Sequence, residues 1–153
     1  MPQVAARLLI AGDGPMRSAW GALAAELNVT DRVQFLGDIS DGDLPRLYAA
    51  ADLFVLPSNV RAEAFGLVLL EAMAAGLPVV TTTEVNAGLR ATPGEHLLLA
   101  EDDDALVAVT TTLLGDAAER SRLGQAGRAF VRENFRWEAV GERLREIEAR
   151  LQA

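Results

Sequence analysis

The stretch from Leu53 to Thr83 constrains this chain more than any other. An apolar run, Leu53 to Leu56, stops at Pro57, whose missing N–H and fixed φ suit the end of a buried parallel strand. A polar loop follows from Ser58 to Ala64. Phe65 and Gly66 then open a segment of strong helix formers, Leu67 to Ala75, closed by Gly76 where a left-handed C-cap residue is expected. Pro78 restarts the chain as a second apolar strand through Val79 and Val80. The pattern predicts a strand, loop, helix, strand unit. Such units cross over right-handed and leave the loop at the carboxyl edge of the sheet, where open α/β folds bind ligands.

Two glutamates frame that loop, Glu63 within it and Glu71 in the helix, with seven residues between them. The spacing brings both carboxylates near the helix N-terminus, whose free N–H groups at Gly66, Leu67 and Val68 form a ready site for a phosphate. Carboxylates beside a phosphate repel it unless they are occupied. Accepting hydrogen bonds from sugar or ribose hydroxyls occupies them, so the constellation suits a sugar nucleotide better than an inorganic anion. The plainer alternative is equally open on spacing alone: Glu63 as a solvated loop residue and Glu71 as a carboxylate favoured by the helix dipole.

The same residues carry a resemblance. The run from Glu63 through Phe65-Gly66-Leu67, Glu71-Ala-Met-Ala-Ala-Gly76 and Pro78-Val-Val80 resembles the Glu-x7-Glu signature of retaining glycosyltransferases of the two-Rossmann-domain (GT-B) fold, family-four type. Other landmarks agree in order: Leu9-Ile-Ala-Gly-Asp-Gly-Pro15, Arg32-Val-Gln-Phe-Leu-Gly37, Leu47-Tyr48 with Ala51-Asp52, and Phe135-Arg-Trp137. The resemblance covers essentially the whole chain but only the second, donor-binding half of such an enzyme. In one place the sequence departs from it: Thr81 to Gly88 stands where the family usually has a glycine pair followed by a glutamate.

Composition narrows the alternatives. At 153 residues the chain fits a single domain, residues 1–153, with one buried core, and the resemblance implies that it is Rossmann-like. The absence of cysteine excludes disulfides, thiolate metal sites and cysteine nucleophiles. A net charge of −8 is opposite in sign to that of a nucleic-acid binder, so no nucleic-acid partner is expected. All 14 basic residues are arginine. No apolar run is long enough for a transmembrane segment, and the N-terminal residues lack the regions of a signal peptide, so the expected address is the cytoplasm.

Along the chain, Arg7 to Ala11 reads as a strand and Gly12-Asp-Gly-Pro15 as a tight turn, with Pro15 near the start of a helix carrying Trp20, Leu23, Ala24 and Leu27 at i, i+3, i+4, i+7. Strands are expected at 7–11, 32–36, 53–56, 78–82 and 96–99. Asp43 opens a helix with Leu44, Leu47, Tyr48 and Ala51 on one face. The acids Glu101 to Asp104 suit a helix cap better than a metal cluster. The single histidine, His96, suits a structural role. Leu123, Ala126, Gly127, Phe130 and Val131 form one apolar helical face, with Gly127 allowing close approach. Trp137, Val140, Leu144, Ile147 and Leu151 form another, expected to pack on the chain's own sheet. Alternating strands and helices predict an α/β, three-layer domain with a mostly parallel sheet.

The resemblance implies more. It implies a six-stranded sheet whose first strand and helix precede Leu8 and lie in the middle, so this chain lacks the first strand–helix unit. Either the chain is a fragment, or its strands at 7–11 and 53–56 close up on each other. The missing unit usually carries a Gly-Arg loop and a Lys-Gly pair that clamp the donor diphosphate, and no lysine here can replace them. For function, the resemblance implies transfer of a hexose from a nucleotide-diphosphate sugar to an acceptor hydroxyl with retention of configuration. Glu63 would be the catalytic-site residue, orienting the hexose with backbone groups of Phe65, Gly66 and Leu67. Glu71 would accept from the ribose hydroxyls, and the helix N–H groups through Val68 would face the diphosphate. No metal and no cofactor are required. The acceptor site would belong to an N-terminal domain of the same enzyme, leaving the isolated chain inactive. A non-catalytic nucleotide-sugar binder, or a scaffold that binds nothing, is the alternative.

Overall fold

The structure, a computed structural model, describes residues 5–58 and 66–151. Five strands alternate with helices over the first two thirds: β1 (Leu8–Ala11), α1 (Arg17–Glu26), β2 (Val33–Gly37), α2 (Leu44–Ala50), β3 (Phe54–Leu56), α3 (Leu67–Ala75), β4 (Val79–Thr81), α4 (Thr83–Leu89) and β5 (Leu98–Leu99). Three helices complete the chain: α5 (Asp103–Gly115), α6 (Ala117–Asn134) and α7 (Trp137–Leu151). Each expected strand is present, with ends within one or two residues of those expected, and every ladder is parallel.

The expected single sheet is divided, and this corrects the reading from sequence. β1 pairs with β2, and β3, β4 and β5 pair in that order, as two separate sheets. The strands at 7–11 and 53–56 therefore do not close up. Each is hydrogen-bonded to a named strand on one edge only, β1 to β2 and β3 to β4. A parallel sheet keeps its register through crossovers, and β1 is held to β2 by α1 while β3 is held to β4 by α3. Nothing in those crossovers draws β1 and β3 together.

The three-stranded sheet is covered on both faces. Its side chains alternate as strands require: Val79 enters a core with Tyr48 of α2, Leu69, Ala72 and Met73 of α3 and Val85 and Leu89 of α4. The next residue, Val80, enters the opposite core with Leu113 of α5 and Leu123 of α6. Three layers result, with α6 reaching both cores through Leu123 on one side and Phe130 and Val131 on the other.

Helix ends follow their sequence signals. Gly76 adopts the left-handed C-cap conformation, φ 85°. Asp102 caps α5 by accepting from Ala105 N–H at 2.7 Å, so the acidic run begins a helix, and Asp116 caps α6 in the same way through Glu119 N–H. Asp13 closes the glycine turn by accepting from Gly14 N–H, and α1 starts at Arg17, two residues after Pro15. His96 is structural: its Nδ1 accepts from Thr92 N–H at 3.0 Å and its ring stacks on Phe130 with centroids 4.6 Å apart.

Two apolar stripes differ from expectation. On α1 only Ala24 is buried, while Trp20, Leu23 and Leu27 stay exposed. On α7, Trp137 is 87 % exposed and Leu144 and Ile147 are exposed as well, so these three residues do not pack on the chain's sheet. Both faces of the three-stranded sheet are already occupied by helices α2 to α6.

α6 lies against α3 at glycine positions. A Cβ on Gly124 would overlap the Gly76 carbonyl oxygen, and one on Gly127 would sit 3.0 Å from the His96 carbonyl oxygen and 3.3 Å from Met73 Cε. The sequence pointed to Gly127, and Gly124 is the tighter of the two. Replacing Gly124 with alanine must push backbone from backbone, so Gly124→Ala is expected to lower stability by about 1–3 kcal/mol in urea unfolding. Gly21→Ala, in α1 with nothing within 4 Å of the added methyl, should instead raise it by about 0.5–1 kcal/mol.

Candidate donor site at the start of the third helix

The carboxyl ends of β3 and β4 are locked together by two threonines. Thr81 Oγ1 donates to the Leu56 carbonyl at 3.0 Å, and Thr82 Oγ1 donates to the Ser58 carbonyl at 2.5 Å. These hydroxyls cross 25 and 24 residues of sequence to fix the last residue of β3 and Ser58 just beyond it. From sequence, the Thr81–Thr83 run registered only as a departure from the family pattern. Strand pairing that sets Leu56 opposite Thr81 is what gives these hydroxyls their role.

Glu63 and Phe65 lie outside the described residues. The other predicted site residues fall together at the start of α3. Gly66 is buried with φ 55° and precedes the helix, and its carbonyl accepts from Leu69 N–H at 2.7 Å. A Cβ there would approach Val85 Cγ1 to 3.0 Å and Leu69 to 3.3 Å, so both the left-handed backbone and the crowding demand glycine. Leu67 is 65 % exposed and Val68 half-buried, while Leu69 behind them is fully buried. The helix thus presents its first N–H groups at an accessible end, anchored from behind by the core.

Glu71 is exposed one turn further along α3 and accepts a hydrogen bond from Tyr48 Oη at 3.0 Å. Tyr48 belongs to α2, is 8 % exposed and meets Phe54 edge to face, with centroids 6.0 Å apart. Burial, followed by the hydrogen bond and charge of Glu71, pushes the Tyr48 phenol above its ordinary range. It therefore stays a donor throughout neutral pH, and the direction of the bond is fixed. The sequence placed Tyr48 on the core face of its helix but did not pair it with Glu71. The available signal was chemical: a tyrosine on a core-facing stripe must satisfy its hydroxyl somewhere.

A cavity of about 510 Å³ lies on the same edge of the sheet, lined by Pro57, Thr82, Ala100, Glu101 to Asp104 and Leu106. Its charge decides against a phosphate there, because four acids line it and no basic group does. The positive end of the α3 dipole is the better place for an anion. Among the described residues no group of three or more histidine, aspartate or glutamate side chains is placed to hold a metal ion. No helix among them is long and apolar enough to cross a membrane.

Parallel strands, crossover helices on both faces and a helix start at the carboxyl edge define a Rossmann-like domain of the kind that makes up GT-B glycosyltransferases. The model of the family described as glycosyl transferases group 1 matches residues 2–130, and the chain belongs to that family. It is 39 % identical to the GDP-mannose-dependent monoacylated alpha-(1-6)-phosphatidylinositol monomannoside mannosyltransferase of Corynebacterium glutamicum, over 96 % of this chain and 41 % of that protein. Among solved structures it is similar to sucrose-phosphate synthase from Thermosynechococcus elongatus, with a TM-score of 0.80 and 34 % identity over 95 % of this chain and 38 % of that one. The fold is shared also with Anabaena HepE, crystallised with UDP and glucose, with a TM-score of 0.81 and 24 % identity over 97 % of this chain and 42 % of that one. The chain spans about two fifths of the length of each of these proteins.

Gly66 carries the local geometry of the site. Gly66→Ala should cost about 1–2 kcal/mol from the left-handed backbone alone, measured by urea unfolding, with the Val85 contact adding to it. A midpoint equal to that of the unchanged chain would show that α3 can begin without a left-handed residue.

Proposed function

We propose that this chain is the donor-binding half of a retaining glycosyltransferase, which binds a nucleotide-diphosphate sugar and works with an N-terminal acceptor domain of the same protein. The observation that carries this reading is the placement of Gly66, Leu67, Val68 and Glu71 at one accessible helix start, in a chain belonging to the glycosyl transferases group 1 family. The mannosyltransferase relative takes GDP-mannose, and the Anabaena protein of the same fold was crystallised with UDP and glucose, which supports a nucleotide-sugar donor.

In this proposal the diphosphate faces the N–H groups at the start of α3. These dipoles are aimed before the reaction begins and stabilise the charge that grows on the leaving diphosphate. Glu71 accepts from the ribose hydroxyls. Glu63, with the backbone of Phe65, Gly66 and Leu67, orients the hexose so that the acceptor hydroxyl meets one face of the anomeric carbon. Neither a metal nor a cofactor has a role in the scheme, and the protein works in the cytoplasm. The exposed stripes on α1 and α7 fit surfaces that the rest of the enzyme covers.

Two measurements follow from this scheme. Alone, the 153-residue chain should show no transferase turnover above blank with GDP-mannose or UDP-glucose, and it should bind the nucleotide diphosphate weakly, because the acceptor domain and the basic clamp are absent from it. Turnover above blank, or nanomolar affinity, would contradict the proposal. In the complete enzyme the two glutamates should separate. Loss of a charge-assisted hydrogen bond costs about 1.5–3 kcal/mol, or roughly ten- to a hundredfold. Glu71→Gln should weaken both nucleotide diphosphate and sugar nucleotide by that factor, whereas Glu63→Gln should weaken only the sugar nucleotide or its turnover. Titrations that show no effect of either substitution would favour a scaffold, and sugar-nucleotide binding without turnover would favour a non-catalytic binder.

A further inference from the structure

We infer that Tyr48 is a positioning residue for the nucleotide: its buried hydroxyl holds the Glu71 carboxylate in the orientation that receives the ribose. The inference rests on the ribose role proposed for Glu71 and adds a residue that the Glu-x7-Glu signature does not contain.

Three observations carry it. Tyr48 Oη lies 3.0 Å from Glu71 Oε2, joining α2 to α3 across 23 residues of sequence. The ring is immobilised: Tyr48 belongs to the main core, Phe54 meets it edge to face at 64°, and Leu44 and Ala51 of the same apolar face pack on that core as well. Glu71 itself is exposed, and no other side chain among the described residues is recorded bonding to it. A rigid donor is thus paired with a flexible acceptor at an accessible surface.

The physical consequence is preorganisation. A glutamate on an exposed helix face samples many rotamers, and ordering such a side chain costs conformational entropy. Tyr48 meets that cost during folding, so the ribose does not have to meet it on binding. A carboxylate has about four acceptor positions on its two oxygens, so one bond at Oε2 leaves Oε1 and the remaining lone pair for the ribose diol. A phenylalanine would fill the core equally well, and the hydroxyl is the part that the site uses. If the bond merely tied α2 to α3, its loss would affect stability and every ligand alike.

The test uses the complete enzyme that contains this chain, calorimetry with GDP and UDP, and the 2′,3′-dideoxy analogue of whichever nucleotide binds more tightly. The unchanged enzyme should prefer the ribose form. Tyr48→Phe should weaken binding of the ribose form about three- to tenfold and leave the dideoxy form unchanged. Once Glu71→Gln is present, adding Tyr48→Phe should cost nothing more. Thermal melting of each variant shows that it is folded. Equal loss on both nucleotides, or no loss on either, overturns the positioning role. The underlying reading fails separately: if the unchanged enzyme binds neither nucleotide, the donor-binding proposal falls, and if it does not prefer the ribose form, or if Glu71→Gln keeps that preference, then Glu71 does not hold the ribose. If Glu71→Gln abolishes the preference while Tyr48→Phe keeps it, only the role of Tyr48 is refuted.

Discussion

The close approach of α6 to the end of α3 underlies the rest of the structure. Gly124 lets the α6 backbone reach the Gly76 carbonyl, and Gly127 lets Met73 fill the space beneath. With α6 on one side and the β3–β4 sheet on the other, Leu69, Ala72 and Met73 are fully buried, and α3 cannot rotate or slide without opening both contacts. The residues at its start inherit that rigidity. Gly66, wedged against Val85, and the two threonine bonds at Leu56 and Ser58 complete a frame around the loop that joins β3 to α3.

A site of this kind gains most from groups that are aimed before the ligand arrives. The N–H groups of α3 are fixed by the helix, and the Glu71 carboxylate is steadied by a tyrosine rooted in the core. Electrostatics separates this end of the sheet edge from the acid-lined cavity beside β5, where Asp102 is committed to capping α5. The start of α3 and the acid-lined cavity thus differ in the sign of the charge they favour.

The division of the strands into two sheets has an energetic counterpart on the surface. β1 and β3 each have one edge without a strand partner among the described residues, and α1 displays Trp20, Leu23 and Leu27 to solvent. Unpaired strand edges and an apolar helix face are both costly to leave in water. That agrees with a chain spanning about two fifths of the relatives it matches.

Local chemistry was legible in the sequence because neighbouring residues decide it. The left-handed turn at Gly76, the aspartate cap of α5, the strand runs and the helix of Leu67–Ala75 all depend on residues within one turn or one strand of each other. The Glu63–Glu71 spacing and its flanking residues identified the family for the same reason. Which surface meets which was decided only by tertiary structure. The α7 stripe has the periodicity of a buried face, yet Trp137, Leu144 and Ile147 are exposed because other helices already cover the sheet. Gly124 looked no different from an ordinary helical glycine until Gly76 came up against it. Tyr48 and Glu71 meet across two helices, and Thr81 finds its partner across a strand pair. Periodicity fixes which side of an element is apolar, but a contact requires two elements, and their relative placement is a property of the whole packed chain.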